Sequence, residues 1–227
     1  MGKFKRFSGY EKHDIPDQMF APIKKRGKNR HIIDPKKFIP IENHGFINKP
    51  GGGIWTSDYE PESEYPDSAG SPWVEWTQEN QPDWTPNKAG VYNPSKSPED
   101  VNMYTIDSLE DLKRLTHDYK EENPYRKGNN IDFERLFTPK EQGGGGLELL
   151  SLTDKGQNET RFSPGDNLYG WDLPSRVWGD PHLLEYKHDV DLRKLIKRLQ
   201  KLDESGEYKK ADALWKSLLA GNIWWKN

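Results

Sequence analysis

The chain is organised around the stretch NKPGGGIWTS, residues 48–57. It joins an extended segment, residues 37–42, to a second one that ends in Trp55-Thr56-Ser57. Three consecutive glycines allow backbone angles that other residues avoid, and they permit close approach to another group because no Cβ intervenes. An indole and two hydroxyls follow directly. The stretch is therefore either a binding surface for a flat, sugar-bearing ligand or a glycine hairpin whose Trp55 enters the core.

Composition predicts a folded, loop-rich protein. Only 32% of the 227 residues are hydrophobic and 31% are charged, yet there are nine Trp, ten Tyr and eight Phe. Such a low apolar content would indicate disorder if aromatic residues were also scarce. We therefore expect a core that relies on large rings. The net charge of −3 gives no overall field that would attract nucleic acid or an anionic membrane.

Residue counts exclude several kinds of site. Cysteine is absent, which removes disulfides, thiolate zinc sites and cysteine nucleophiles. The six His show no i, i+4 pair of the helical zinc type, so we predict no metal site. No apolar run approaches the length of a membrane span, and the N-terminus lacks a signal-peptide pattern. We therefore expect an intracellular protein without a membrane partner.

The sequence divides into three predicted regions. Residues 1–35 are polar and basic and are interrupted by Pro16 and Pro22, which predicts an extended arm. Residues 36–187 form the predicted α+β domain. Residues 188–227 form a predicted αα-hairpin, because Leu192, Leu195 and Leu199 mark an amphipathic helix before a break and a second apolar pattern.

Within the middle region, the pattern predicts strands at 38–42, 53–57, 101–106, 147–152 and 175–178, and a further one at 183–186. Ser108, with Asp111 three positions later, predicts the capped start of a helix. A short helix is predicted at 131–137. Residues 78–98 carry four prolines and are predicted to be a loop, as is the polar segment that follows residue 152.

Separated segments of the chain resemble the motifs of one family. FIPI at 38–41, NKPGGGIWTS at 48–57 and SPWVEW at 71–76 resemble the opening of a family of uncharacterised, often phage-encoded proteins. YGWD at 169–172, followed by SRVW at 175–178, resembles its closing motif. That family is similar to ADP-ribosyltransferases, which cleave NAD at the nicotinamide glycosidic bond and pass ADP-ribose to a target. The resemblance implies an ADP-ribosyltransferase-like split β-sheet core between residues 38 and 178.

The resemblance also implies which residues contact NAD. In that fold, a strand ending in a Ser-Thr-Ser-like motif contacts the nicotinamide ribose, and the strand ending at residue 57 looks like its counterpart. Trp171 in the closing motif would lie across the cleft. The implied cofactor-binding residues are Gly53, Trp55, Thr56, Ser57 and Trp171.

Two residues are implied for catalysis. The preceding strand usually supplies an Arg or His, and His44 is the nearby residue of that type. A late strand supplies a carboxylate that stabilises the positive charge left on the ribose when nicotinamide departs. This chain has Pro174 where the family has an acidic residue, and Asp172 is the carboxylate that could replace it. The alternative is that Asp172 caps a turn and Trp171 packs in the core.

Two functions therefore stay open. One is an ADP-ribosyltransferase-like enzyme that uses NAD and modifies a host protein or nucleic acid. The other is a non-catalytic phage structural or host-factor-binding protein on the same fold, with a phage protein partner bound through residues 1–35 and 188–227. Either would work in the cytoplasm of the host cell or in the virion. If the site binds a nucleotide, we expect Trp55, Thr56 and Ser57 to meet Trp171 or Asp172.

Overall fold

A computed structural model describes residues 18–20, 33–44, 48–59, 71–80, 87–122, 130–194 and 197. Helices and strands are mixed along the chain, in agreement with the predicted α+β class. The strands are β1 (Gln18–Phe20), β2 (Glu42–Asn43), β3 (Pro50–Gly51), β4 (Ile54–Asp58), β5 (Lys88–Pro94), β6 (Met103–Ile106), β7 (Leu149–Leu152), β8 (Ser175–Trp178) and β9 (Leu184–Asp191). The helices are α1 (Pro72–Asn80), α2 (Leu109–Asp118), α3 (Phe133–Phe137) and α4 (Asp154–Thr160).

These residues divide into two compact units. The first contains the described residues of Asp34–Trp55 and Asn93–Glu185, and the second contains those of Gln18–Ile33, Thr56–Tyr92 and the chain from Tyr186 onward. The chain passes from the first unit to the second within β4. Most of the predicted arm and of the predicted C-terminal hairpin lies outside the described residues, so the three-region division stays a prediction.

The first unit is built on three adjacent strands, in the order β6-β7-β8. β6 and β7 are parallel, and β8 is antiparallel to β7. All four residues of β7 are buried, as is typical of a strand covered on both faces. The largest hydrophobic cluster includes Leu112 and Leu115 from α2, Phe133 and Leu136 from α3, Leu150 and Leu152 from β7, and Trp171 and Val177 from the closing motif.

Helix α2 begins as the sequence predicts. The Ser108 hydroxyl accepts a hydrogen bond from the backbone N–H of Asp111 at 3.2 Å, which satisfies one of the unpaired donors of the first turn. The Asp111 carboxylate accepts in return from the Ser108 hydroxyl at 2.7 Å and from the backbone N–H of Asp107 at 3.2 Å. The reciprocal contact differs from the usual capping box because the shorter Asp side chain bonds to the preceding residue.

The second unit places β1 between β4 and β5, with both pairs antiparallel. Its core contains Val74 from α1, Ala89 and Val91 from β5, and Leu192, where helical backbone begins after β9. The prediction of a loop at 78–98 is wrong for Gln78–Asn80, which complete α1, and for Lys88–Pro94. Lys88–Pro94 is a strand in which four consecutive residues, 89–92, are buried. It forms although prolines surround it, because pairing with β1 outweighs local composition.

Two further local predictions need correction. Residues 38–41 are not a strand. A 3-10 turn at Pro35–Lys37 precedes them, and the carbonyl oxygen of Ile39 accepts a hydrogen bond from the backbone N–H of Gly53 instead of pairing with a strand. The polar segment after residue 152 contains α4, whose first turn is capped by the Thr153 hydroxyl. The strands predicted at 53–57, 101–106, 147–152, 175–178 and 183–186 and the helix at 131–137 are confirmed, with shifted ends at all but 175–178.

Candidate functional site

The glycine turn is fixed by close backbone packing within the first unit. Gly52 and Gly53 have φ angles of +65° and +64°, which other residues rarely adopt. A Cβ on Gly52 would lie 2.1 Å from the carbonyl oxygen of Pro40, and one on Gly53 would lie 3.0 Å from side-chain atoms of Ile41 and Val177. The glycines therefore permit close approach, as predicted, but the groups that approach them belong to the protein itself.

The opening and closing motifs meet at two indole rings. The ring centroids of Trp55 and Trp171 are 4.7 Å apart in an edge-to-face arrangement, the geometry that aromatic quadrupoles favour. Trp171 is only 1% exposed, and its indole N–H donates to the carbonyl oxygen of Asn48 at 3.2 Å. The Trp55 indole N–H donates to the carbonyl oxygen of Gly52 at 3.1 Å. The predicted meeting of the two segments is thus present as a packed contact.

Asn48 ties three parts of the first unit together. Its side-chain amide donates to the carbonyl oxygen of Asn167 at 3.1 Å and accepts from the backbone N–H of Ile131 at 3.0 Å. Its own carbonyl receives the Trp171 indole. Because Asn48 is buried, these bonds satisfy polar groups that would otherwise be costly to desolvate.

Lys49 covers the indole of Trp55. Its ammonium group lies 4.8 Å from the ring centroid of Trp55 and donates to the carbonyl oxygen of Gly170 at 2.8 Å. Burial lowers the pKa of Lys49, and the negative charge of Asp172 acts against that shift. Lys49 was not among the predicted site residues, although it lies within the opening motif.

The carboxylate of Asp172 is held by an arginine. Oδ1 accepts from the guanidinium of Arg161 at 2.8 Å, and the Asp172 side chain is 37% exposed. The Asp172 carbonyl oxygen accepts from the Gln157 side chain at 3.1 Å. Gln157 and Arg161 are four residues apart, on α4 and at its C-terminal cap, so both project from one helical face. The four-residue spacing of Gln157 and Arg161 is the sequence feature that points to Arg161 as a neighbour of Asp172. It can be interpreted only when residues 154–160 are known to form a helix.

Thr56 and Ser57 are buried in the second unit. The Thr56 hydroxyl donates to the side-chain oxygen of Gln18 at 2.7 Å. The Ser57 hydroxyl lies 2.8 Å from that of Ser71, with which it shares a hydrogen bond. Both implied NAD-binding hydroxyls are therefore engaged inside the protein.

His44 is an exposed residue directly after β2. β2 is fixed through Asn43, the residue before His44. The Asn43 side chain accepts from the backbone N–H of Phe133 at 2.7 Å and donates to the carboxylate of Asp132 at 3.0 Å. The fold thus uses β2 to fix the start of α3. The catalytic role of His44 stays a prediction.

The described residues were compared with the requirements of a metal site and of a membrane span. Among the residues that the structure describes, no group of three His, Asp or Glu side chains is arranged to hold a metal ion. In the same part of the chain, no helix combines the length and apolarity needed to cross a bilayer.

No family model, curated protein or solved structure matches this chain. The resemblance to the phage-encoded family, the split-sheet core and the use of NAD therefore stay predictions.

Proposed function

We propose that the protein is a non-catalytic binding protein built on an ADP-ribosyltransferase-like split-sheet core. One observation carries this proposal: the side chains implied to contact NAD, in the opening motif and at Trp171, make contacts within the protein. Thr56 and Ser57 make buried side-chain hydrogen bonds. Trp171 is enclosed in the core, and Lys49 lies over the ring of Trp55.

The energy needed to release these groups opposes nucleotide binding. Each internal hydrogen bond contributes about 0.5–1.5 kcal/mol, and a buried acceptor left without its donor costs about 1–3 kcal/mol. A ligand with a Kd of 1 mM gains only about 4 kcal/mol on binding. Breaking the internal hydrogen bonds of Thr56, Ser57 and Trp171 would cost most of that free energy. These side chains therefore stabilise the fold better than they would stabilise a bound nucleotide.

The proposal is tested by incubating the full chain with labelled NAD and a bacterial lysate. We expect no labelled protein or nucleic acid, while an established ADP-ribosyltransferase in a parallel sample labels its target. Labelling that depends on the chain, and that is lost in Asp172→Asn, would overturn the proposal.

The second candidate function is the ADP-ribosyltransferase itself, and one observation favours it. The two motifs meet although the Trp171 indole and its partner Asn48 are 123 positions apart, and the Asp172 carboxylate next to them remains partly exposed. In the transfer of ADP-ribose from NAD, the bond between ribose and nicotinamide breaks and nicotinamide leaves with the electron pair. A target nucleophile then bonds to the ribose and loses a proton. Asp172 would stabilise the transient positive charge after separating from Arg161.

A further inference from the structure

Strand β9 has an open outer edge. It lies beyond β5, and among the residues that the structure describes no strand pairs with its other side. From Tyr186 onward β9 belongs to the second unit. An edge strand presents a row of backbone N–H and C=O groups with which another strand can pair. The outer side of β9 is therefore a place where the sheet can gain a strand.

The sequence of β9 lacks most of the features that prevent such pairing. Edge strands are commonly short, interrupted by Pro or Gly, or protected by Lys side chains. β9 has eight residues, LEYKHDVD, with neither Pro nor Gly. Residues 185–188 are exposed, so the centre of the strand faces solvent. Its lysine, Lys187, opposes pairing only where no acid lies opposite it.

The charges of β9 are self-complementary about His188. Lys187 precedes this residue and Asp189 follows it. When two copies pair antiparallel about a two-fold axis through His188, Lys187 of each copy lies opposite Asp189 of the other. A two-fold interface forms every such contact twice. The next pair sets Tyr186 against Val190, and aromatic residues opposite β-branched ones stabilise strand pairs.

Asp189 has room for a further donor. One of its carboxylate oxygens accepts from the Tyr186 hydroxyl at 2.7 Å, and the ammonium group of Lys88 lies 3.6 Å from the other. A carboxylate has about four acceptor positions. Asp189 can therefore keep its bond to Tyr186 and also accept from Lys187 of the other copy.

The outermost pair brings two acids together, Glu185 of one copy and Asp191 of the other. Arg193 reduces their repulsion, because its guanidinium donates to both carboxylate oxygens of Asp191, at 3.0 and 2.9 Å. Glu185 thus meets a carboxylate that a bidentate ion pair already neutralises.

The neighbouring registers are less favourable. Three registers keep at least seven of the eight residues paired: those with the axis at Lys187, at His188 or between the two. An axis at Lys187 sets the two lysines against each other and sets Glu185 against Asp189. An axis between Lys187 and His188 sets these two residues against each other and forms no ion pair. Like charges directly opposite destabilise a strand pair, so the charges select the axis at His188.

We propose that β9 pairs antiparallel with β9 of a second copy of this chain, about a two-fold axis at His188. Backbone hydrogen bonds supply the affinity, as in other cases of strand addition, and the pairs of Lys187 with Asp189 fix the register. The inference is independent of the proposed function, because neither NAD nor a further partner takes part. A single strand pair is smaller than the usual interface of about 800 Å² on each partner, so the dimer should dissociate on dilution.

The absence of cysteine allows a direct test of the register. Opposite residues of antiparallel strands have Cα atoms about 4.5–5.5 Å apart, within the span of about 4.4–6.8 Å that a disulfide bridges. The full chain with His188→Cys should therefore form a disulfide-linked dimer on oxidation with diamide, seen as a doubled mass on non-reducing electrophoresis.

The matched control is Glu185→Cys, at another exposed position of the same strand. In the proposed register its two introduced thiols lie six residues apart along the strand, roughly 20 Å. It should therefore form the dimer about tenfold more slowly or not at all. Equal rates for the two variants would show random collision or another register, and would overturn the inference.

Sedimentation velocity over a concentration series tests the charges without a crosslink. We expect a dimer whose share rises with concentration. Lys187→Asp, which sets acids opposite acids, should weaken it by about tenfold. The double variant Lys187→Asp, Asp189→Lys exchanges the charges and should restore it. Thermal melts of each variant identify losses that come from unfolding.

Three results in sedimentation would overturn the inference. These are a parent chain that stays monomeric up to about 1 mM, a dimer that Lys187→Asp leaves unchanged, and a folded double variant that does not recover the dimer. A monomeric chain that binds an extended peptide of unrelated sequence through β9 would assign the edge to a foreign strand instead.

Discussion

Gly52 connects a single residue to the geometry of the opening motif. Its φ angle is +65° and a Cβ would lie 2.1 Å from the Pro40 carbonyl oxygen, so substitution adds a backbone clash to conformational strain. We predict that Gly52→Ala lowers the free energy of unfolding by more than the ~1–3 kcal/mol that strain alone costs. Chemical denaturation measures the loss.

The chain offers a matched control for this prediction at Gly143. That residue also has a positive φ, +87°, but a Cβ there would meet no atom within 4 Å. Gly143→Ala should therefore show the strain without the clash. Equal losses for the two variants would contradict a close backbone contact at Gly52.

Tyr104 should make stability sensitive to alkaline pH. Its hydroxyl donates to the carbonyl oxygen of Asp111 at 2.8 Å, and burial raises its pKa well above the ordinary value. The unfolded state therefore loses this proton first as pH rises, so the stabilisation is complete below about pH 10 and is lost above it. We predict that Tyr104→Phe costs about 1 kcal/mol at neutral pH, the net value of the hydrogen bond.

The difference between the parent and Tyr104→Phe should shrink at higher pH. One pH unit above the ordinary tyrosine pKa corresponds to about 1.4 kcal/mol, so the two proteins should have similar unfolding free energies near pH 11. Urea denaturation at several pH values checks this. Tyr169→Phe is the control because its ring is largely exposed. A difference that stays constant with pH would show that the Tyr104 proton is not held by the fold.

At the scale of elements, the start of α2 gives the next prediction. Ser108→Ala removes the side-chain acceptor for the backbone N–H of Asp111, and loss of such a cap costs about 0.5–2 kcal/mol. Ser97→Ala is the control, because Ser97 forms an exposed bond to Asp100 in a turn rather than a helix cap. Thermal unfolding should separate the two variants, and an unchanged midpoint for Ser108→Ala would contradict the assigned cap.

Elements with strong local signals could be read from the sequence. β8 lies at the predicted residues, and α2 begins at its predicted cap because one hydroxyl and one carboxylate three positions apart suffice to fix a helix start. β1 and β5 were not predicted. Both become strands because they pair with each other, with Met19 opposite Val91. These two residues are 72 positions apart, so no local sequence pattern indicates the pairing.

At the scale of the whole molecule, the sequence predicts which segments meet but not how their side chains are used. The contact of Trp55 with Trp171 follows from the two motifs. The hydroxyls of Thr56 and Ser57 bond to Gln18 and Ser71, and Asp172 pairs with Arg161. A motif resemblance carries no information on which side chains pair, and these pairings decide whether a side chain can reach a ligand.

Calorimetric titration of the full chain with NAD tests most directly the claim that the two motifs support the fold rather than a nucleotide. We predict no saturable heat up to about 1 mM NAD, which corresponds to a binding free energy weaker than about −4 kcal/mol. Asp172→Asn should behave as the parent does. A saturable isotherm for the parent that Asp172→Asn or Trp55→Ala weakens would contradict the account.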